Sequence, residues 1–345
     1  MAGAADTLTA GAADRLTAGA ADSRSLPIFA RVSARRTLCY DILHPNYGPH
    51  VRAGSGLAWV DAELAIVQDD ALCIAWLEPD SGALRLSALP PALADSLGAH
   101  TFDAAAGNKL RKPDFEAAFS WAIDGKTELV ALGSGSSTQR FHIIRVQNAG
   151  ATCSVLDGSR WLTALSENHA FAGSQLNIEG ASCNDQQLFL FQRGNGAAVN
   201  GLAPVNSVAS FAVEEVRRFL DAPATAAVPN IARLYPVELA GFWHGSKSIP
   251  WGFADACEHQ ARTWFLLSAE ASPDVLDDGE VAAAALGYLT DSGAVFGLIH
   301  DENGQILRDK LEGLASDGRG GFYAVTDNDD PTIPAQLLHL ELGHV

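Results

Sequence analysis

The stretch Asn177-Ile178-Glu179-Gly180-Ala181-Ser182-Cys183-Asn184-Asp185-Gln186-Gln187-Leu188-Phe189-Leu190-Phe191-Gln192-Arg193-Gly194-Asn195-Gly196 holds the pattern that decides the fold. An acid and a glycine open a short run, Asn and Asp turn the chain, and Leu188-Phe189-Leu190-Phe191 follows as a solid apolar run. A run of that length, rich in β-formers and closed by turn residues, reads as a buried strand. The polar cluster Gln192-Arg193-Gly194-Asn195-Gly196 ends it.

The same succession recurs about every sixty residues, the size of a propeller blade holding several short strands. Its other openings are Ser55-Gly56-Leu57, Asp114-Phe115-Glu116, Gly252-Phe253-Ala254-Asp255 and Glu312-Gly313-Leu314. The matching polar clusters are Gln68-Asp69-Asp70, Gly133-Ser134-Gly135-Ser136-Ser137, Ser268-Ala269-Glu270 and Thr326-Asp327-Asn328-Asp329-Asp330. We therefore expect an all-β chain, a β-propeller with five blades visible and room for a sixth in residues 197–248. The last unit is short and ends near His339-Leu340-Glu341-Leu342. An N-terminal strand, from Phe29-Ala30-Arg31-Val32 or Thr37-Leu38-Cys39-Tyr40, would complete it and hide the sheet edges. Helical periodicity is rare; Val213, Val216 and Leu220 mark a short helix packed on a sheet edge.

The chain has 345 residues, 48% of them apolar, with 23 Lys and Arg against 41 Asp and Glu, a formal charge of −18. Only 19% of residues are charged, so the imbalance reflects scarce bases, and a cationic nucleic-acid footprint is excluded. The start lacks a cationic segment followed by an apolar one, and no apolar run is long enough to span a membrane. Residues 1–25 contain the direct repeat Leu8-Thr9-Ala10-Gly11-Ala12-Ala13-Asp14 and Leu16-Thr17-Ala18-Gly19-Ala20-Ala21-Asp22 and read as a disordered, dispensable tail. Residues 26–345 read as one propeller domain. Cys39, Cys73, Cys153, Cys183 and Cys257 are widely spaced with no CxxC, as expected of reduced, buried thiols in a cytoplasmic protein. Oligomeric state has no signature in the sequence.

In a propeller blade the start of the first strand and the end of the second lie at the same end of the molecule. Glu116, Glu179, Asp255 and Glu312 would then converge on one channel mouth. Carboxylates so gathered either share protons or hold a cation. Oxygen-only ligands suit Ca²⁺, with Mg²⁺ or Mn²⁺ as alternatives, whereas the competing role for each acid is to cap its strand. Asp327, in Asp327-Asn328-Asp329-Asp330, joins them as a candidate ligand from a calcium-loop-like spacing without a closing Glu. Gly133-Ser134-Gly135-Ser136-Ser137 reads as a tight turn or an anion nest. Nucleophile-elbow, zinc-protease and Walker motifs are missing.

Three pairs of segments bear a likeness to a known family. They are Asn177-Ile178-Glu179-Gly180 with Gln192-Arg193-Gly194-Asn195-Gly196, Lys112-Pro113-Asp114-Phe115-Glu116 with Leu132-Gly133-Ser134, and Lys310-Leu311-Glu312-Gly313-Leu314 with Gly321-Phe322-Tyr323-Ala324-Val325-Thr326-Asp327. From Leu57 to Leu342 the chain resembles an uncharacterised bacterial propeller family related to the phytase-like esterases, and more distantly gluconolactonase and calcium-dependent phytase propellers. The distant resemblance implies that Glu179 and Glu312 are metal ligands; Ser55 replaces the acid in the first unit, and the cationic clusters that grip phytate are missing. The function expected is a Ca²⁺-dependent hydrolase of a small ester, lactone or phosphoester. Glu179, Glu312 and Asp255 would hold the ion, Glu116 or Glu270 would act as general base, and Arg193 or Lys310 would steady negative charge. The alternative is a non-catalytic propeller binding a small ligand or a partner protein on the same face. A carbohydrate-binding or glycosidase propeller is a third reading.

Overall fold

The computed structural model describes residues 16–17, 28–123, 125–271, 279–290 and 293–343. A short strand, β1 (Leu16–Thr17), and a long one, β2 (Ile28–Thr37), precede a hairpin of β3 (Cys39–His44) and β4 (Gly48–His50). Five four-stranded units follow. The first is β5 (Gly54–Val60), β6 (Glu63–Gln68), β7 (Cys73–Leu77) and β8 (Leu84–Ala88), trailed by α1 (Pro91–Leu97). The second is β9 (Phe115–Ile123), β10 (Lys126–Gly133), β11 (His142–Gln147) and β12 (Thr152–Asp157), trailed by α2 (Ser159–Glu167) and α3 (His169–Ala172). The third is β13 (Ile178–Cys183), β14 (Gln187–Gln192), β15 (Asn206–Ala212) and, after α4 (Val213–Asp221), β16 (Arg233–Glu238). A hairpin of β17 (Phe242–His244) and β18 (Lys247–Ile249) leads to the fourth: β19 (Trp251–His259), β20 (Arg262–Glu270), β21 (Val281–Thr290) and β22 (Gly293–His300). The last unit is β23 (Leu311–Ser316), β24 (Phe322–Thr326) and β25 (Gln336–Leu342), completed by β2.

The first strands of the units form a closed ring: β5 packs on β9, β9 on β13, β13 on β19, β19 on β23, and β23 back on β5. This is a propeller-like architecture, and it explains why the strands read as solid apolar runs. In β6, Leu64 and Ile66 face the wedge shared with the last unit, whereas Ala65 and Val67 face the wedge shared with the second. Both faces of each sheet are therefore covered by a neighbouring sheet, and alternation in hydropathy disappears although alternation in facing persists. The buried apolar residues fall accordingly into five clusters, one per wedge.

The N-terminal strand is the one that begins at Phe29. Along β25 it pairs antiparallel, Ala30 opposite Leu342 and Thr37 opposite Gln336, and its start also pairs parallel with β22. This double pairing merges the fourth and fifth units into an eight-stranded sheet and covers two edges. Thr37-Leu38-Cys39-Tyr40 instead turns into the β3–β4 hairpin. Residues 197–248 hold β15, α4, β16 and the β17–β18 hairpin, in place of another four-stranded sheet. Helix α4 buries Val213, Val216, Phe219 and Leu220 beside β14 and β15, as its periodicity predicts.

Of the segment read as a tail, residues 1–15 and 18–25 lie outside the described residues, and Leu16–Thr17 run parallel along β16. All five cysteines are free, yet only Cys73 is fully buried and Cys39 is exposed, because Cys39 sits on the β3 hairpin outside the wedges. Among the described residues no helix is long and apolar enough to cross a membrane.

Candidate cation-binding mouth

Every inner strand carries a β-bulge at the same place. The register slips between Gly54 and Gly56 in β5, around Glu116 in β9, between Ile178 and Gly180 in β13, between Phe253 and Asp255 in β19, and between Leu311 and Gly313 in β23. A bulge adds one residue and re-aims its side chain. The five added residues are Ser55, Glu116, Glu179, Ala254 and Glu312. The fourth unit therefore contributes an alanine to this layer, and its acid, Asp255, stands one position further in, level with Gly56, Ala117, Gly180 and Gly313.

That one-residue offset separates Asp255 from the other acids. Its carboxylate is fully buried; Oδ2 accepts the Leu314 N–H at 2.7 Å, the amides of Ala256, Ala181 and Leu57 also favour its charge, and Oδ1 is without a hydrogen bond. Four units thus aim backbone at one side chain, which fills the channel axis below the mouth. Burial nevertheless pushes its pKa well up. The small residues at this level make the room: a Cβ on Gly180 would lie 2.7 Å from Asp255 Cα. Asp255 belongs to neither cluster of carboxylates that could share an ion.

Glu116, Glu179 and Glu312 do converge. One oxygen from each lies within 4.8 Å of the others, and all three residues are buried. Asn177 donates to Glu179 Oε1 at 2.5 Å. Glu312 Oε1 is buried with no hydrogen-bond partner; the nearest cations, Arg193 Nη1 and Lys310 Nζ, both stand 3.8 Å away. Burial raises the pKa of all three, well above the usual range for Glu116 and Glu312; each is raised further by a neighbouring carboxylate, including Asp114 on Glu116 and Glu179 on Glu312. Three carboxylates, one oxygen without a hydrogen bond and no soft donor fit a hard cation.

These groups floor a cavity of about 360 Å³ lined by ten carboxylates and six bases, Arg52, Lys109, Lys112, Arg140, Arg193 and Lys310. A base-poor chain thus concentrates 6 of its 23 Lys and Arg in one mouth, so cations are present there after all. Five of them, Arg52, Lys112, Arg140, Arg193 and Lys310, are engaged by carboxylates. Lys112 bridges Asp69 and Asp114, the latter at 2.7 Å, and Arg140 meets Asp114 at 2.6 Å. Burial opposes ionisation of Asp114, but Lys112 and Arg140 outweigh it and hold its pKa low. Arg52 pairs with Asp70 at 2.8 Å and Asp103 at 3.1 Å. Asp70 is pushed up to about 7 by burial and by Asp69, and its Oδ1 has no partner.

Arg193 also lies in the mouth, as a buried ion-pair hub: Glu270 at 2.5 Å, Glu179 at 3.6 Å and Glu312 at 3.8 Å. Gly252 leaves space for its stem, since a Cβ there would sit 2.8 Å from Arg193 Cγ. Glu270 is behind the lining, holding Arg193 and the Gly279 N–H at 2.8 Å. Lys310 reaches Asp329 at 2.7 Å and Asp327 at 3.4 Å, so the Asp327–Asp330 loop wraps an ammonium, and Asp330 caps the Thr332 N–H. The Gly133–Ser137 segment is a turn and not an open nest. Its amides are taken, Ser134 N–H by Asp114 O and Gly135 N–H by Arg140 O, and Ser134 Oγ donates to Asp114 at 2.5 Å.

Sequence reasoning passed over Asp69, Asp70, Asp114, Lys112, Arg140 and Arg52 as site residues. The available signal was the scarcity of bases: Lys112 and Arg140 flank recognised motifs. Among the described residues no histidine lines the cavity.

The family model described as a family of unknown function, DUF6929, matches residues 50–342, from just ahead of β5 to the end of β25. The chain belongs to the DUF6929 family. No curated protein sequence matches it. Similar solved structures include glutaminyl cyclase from Myxococcus xanthus, 9% identical with a TM-score of 0.45 over 92% of this DUF6929 chain and 100% of the other. An exo-1,5-alpha-L-arabinanase from a bovine ruminal metagenomic library is 10% identical, with a TM-score of 0.42 over 88% and 99%. A putative glycoside hydrolase from Parabacteroides distasonis is 8% identical, with a TM-score of 0.43 over 88% and 92%. Likenesses this distant carry nothing about what the DUF6929 mouth binds.

Proposed function

We propose that the mouth binds one hard divalent cation, Ca²⁺ ahead of Mg²⁺ or Mn²⁺, on Glu116, Glu179 and Glu312, and hydrolyses a small ester, lactone or phosphoester there. The observation that supports this is the convergence of three bulge carboxylates, with Glu312 Oε1 buried and without a hydrogen bond. The ion would supply Lewis-acid polarisation of a carbonyl or phosphoryl oxygen. Asp70 is the general base in this reading, because it lines the cavity and burial and Asp69 push its pKa up to about 7. It replaces Glu270, which is tied to Arg193, and Glu116, which is a ligand. Lys310 and Arg193 steady developing negative charge. Asp327 holds Lys310 in place, and Asp255 supports the floor.

A cavity of about 360 Å³ suits a small molecule. Because its bases already serve its acids, a polyanion such as phytate is disfavoured, and kinship with phytase-like esterases would lie in architecture more than substrate. The ring of inner strands supports five blades over one domain, residues 26–345, and five free cysteines support a reducing, cytoplasmic setting. The test uses chelator-treated protein. Added Ca²⁺ should raise Tm by several degrees and restore hydrolysis in a panel of one ester, one lactone and one phosphoester, and Glu312→Gln should abolish both effects. Unchanged Tm with Ca²⁺, Mg²⁺ and Mn²⁺ would refute the cation site. A Tm shift without turnover would leave a ligand-binding propeller.

A further inference from the structure

We infer that the outer face of the last unit carries a second, metal-independent hydrolytic site in which Ser33 is the nucleophile, His339 its base and Asp317 the group that orients the base. Ser33 Oγ lies 2.7 Å from His339 Nδ1, and His339 Nε2 lies 2.9 Å from Asp317 Oδ2. A nucleophile, a base and an orienting carboxylate in hydrogen-bonded sequence are the parts of a Ser-His-Asp relay. Ser33 and His339 are 306 residues apart in sequence, so no motif announces them.

The chemistry fixes the tautomer. Asp317 accepts the Arg319 and Gly321 N–H groups at 2.7 and 2.8 Å, and burial is outweighed by His339 and these amides, so its pKa is lowered. An ionised carboxylate only accepts, so Nε2 carries the proton and Nδ1 is left to accept from the Ser33 hydroxyl. A second acceptor, the His339 carbonyl, is further from Ser33 Oγ, at 3.2 Å.

Local geometry serves the arrangement. Pairing along β2 passes from Val32 opposite Leu340 to Ala34 opposite His339, so Ser33 is the extra residue of a bulge, where side chains are re-aimed. A Cβ on Gly321 would lie 2.7 Å from Asp317 Oδ2 and 3.3 Å from His339 Nε2, so glycine there lets acid and ring meet. Ser33 is exposed. Its chain neighbour Ala34 and its partner His339 line a groove together with Trp59, Tyr323, Arg319 and the acids Asp80, Asp317 and Glu341. Tyr323 packs on the His339 ring at 5.3 Å and on Trp59 at 6.2 Å, giving an aromatic wall for a short acyl or aryl group, and Arg319 is the arginine lining the same groove.

The substrate class is a small carboxylic ester. His339 Nδ1 takes the Ser33 Oγ proton as Oγ bonds to the carbonyl carbon; the C–O bond to the alcohol breaks, and the alcohol leaves with that proton. Water then attacks the seryl ester, giving one proton to His339, which returns it to Ser33 as the acid departs.

The test is labelling of the full chain with a fluorophosphonate, with p-nitrophenyl acetate turnover alongside, both in excess chelator so that the mouth is silent. One adduct should form, mapped to Ser33, with displacement of fluoride. Ser33→Ala should remove it, and Asp317→Asn should slow labelling about 100-fold while a cooperative thermal transition persists. If folded wild-type protein gives no Ser33 adduct, or if Asp317→Asn folds and labels at the wild-type rate, the contact is a latch between β2 and β25 and the proposal is overturned.

Discussion

At the residue scale, burial without full compensation gives the mouth its character. Asp70 shows how. Burial and Asp69 move it from an ordinary 3.8 to about 7, and Arg52 limits the rise. A base of that pKa works best near neutral pH. Cation-dependent turnover should therefore rise with pH through about 7, and Asp70→Asn should flatten the profile and lower kcat about 100-fold; a pH-rate profile of both proteins checks this. The scarce bases were visible in the sequence at Lys112, Arg140 and Arg193. Their partners were not, because ion pairing joins side chains from different units. A carboxylate hydrogen-bonded to an arginine and one that only stands near it, without a hydrogen bond, look the same in sequence, as Glu270 and Glu312 demonstrate.

At the element scale, the bulge at the start of each inner strand does the positioning. It sends Glu116, Glu179 and Glu312 into the mouth and leaves the next position for the channel wall. The recurring acid-glycine pair could be read directly, since the glycine is needed where five strands crowd. The slip in the fourth unit could not: Gly252-Phe253-Ala254-Asp255 fits the repeat by residue type, and only strand pairing shows that Ala254 is the bulge residue. Gly180→Ala should cost about 1–3 kcal/mol, because its methyl meets the backbone of Asp255 and not a mobile side chain. Chemical denaturation measures that loss.

At the scale of the whole molecule, closure and charge decide stability. Strand β2 covers the edges of both β22 and β25. Removal of residues 1–37 should expose both edges and replace a single cooperative unfolding transition with association, visible by size-exclusion chromatography. Charge adds a pH dependence. Glu116, Glu312, Asp70 and Asp255 have folded pKa values above their ordinary ones, so their contribution is full in acid and is lost as pH rises through the folded values. Asp114, held low, works in the opposite direction and weakens the fold only in strong acid. Cation-free protein should therefore lose stability as pH rises from the ordinary carboxylate range through about 7, and Ca²⁺ should raise Tm more above that range than below it, as paired melts would show. The sequence by itself determined the all-β class, the repeat, that an N-terminal strand closes it and the face on which acids gather, because these follow from local runs and turn residues that need no partner; which of two N-terminal runs closes it was decided by strand pairing. Only the tertiary structure decided which acids meet, which are neutralised and that Ser33 lies against His339. Those outcomes depend on one-residue bulge registers and on contacts between units, and an interaction that acts across less than 4 Å leaves no trace in the spacing of residues hundreds apart.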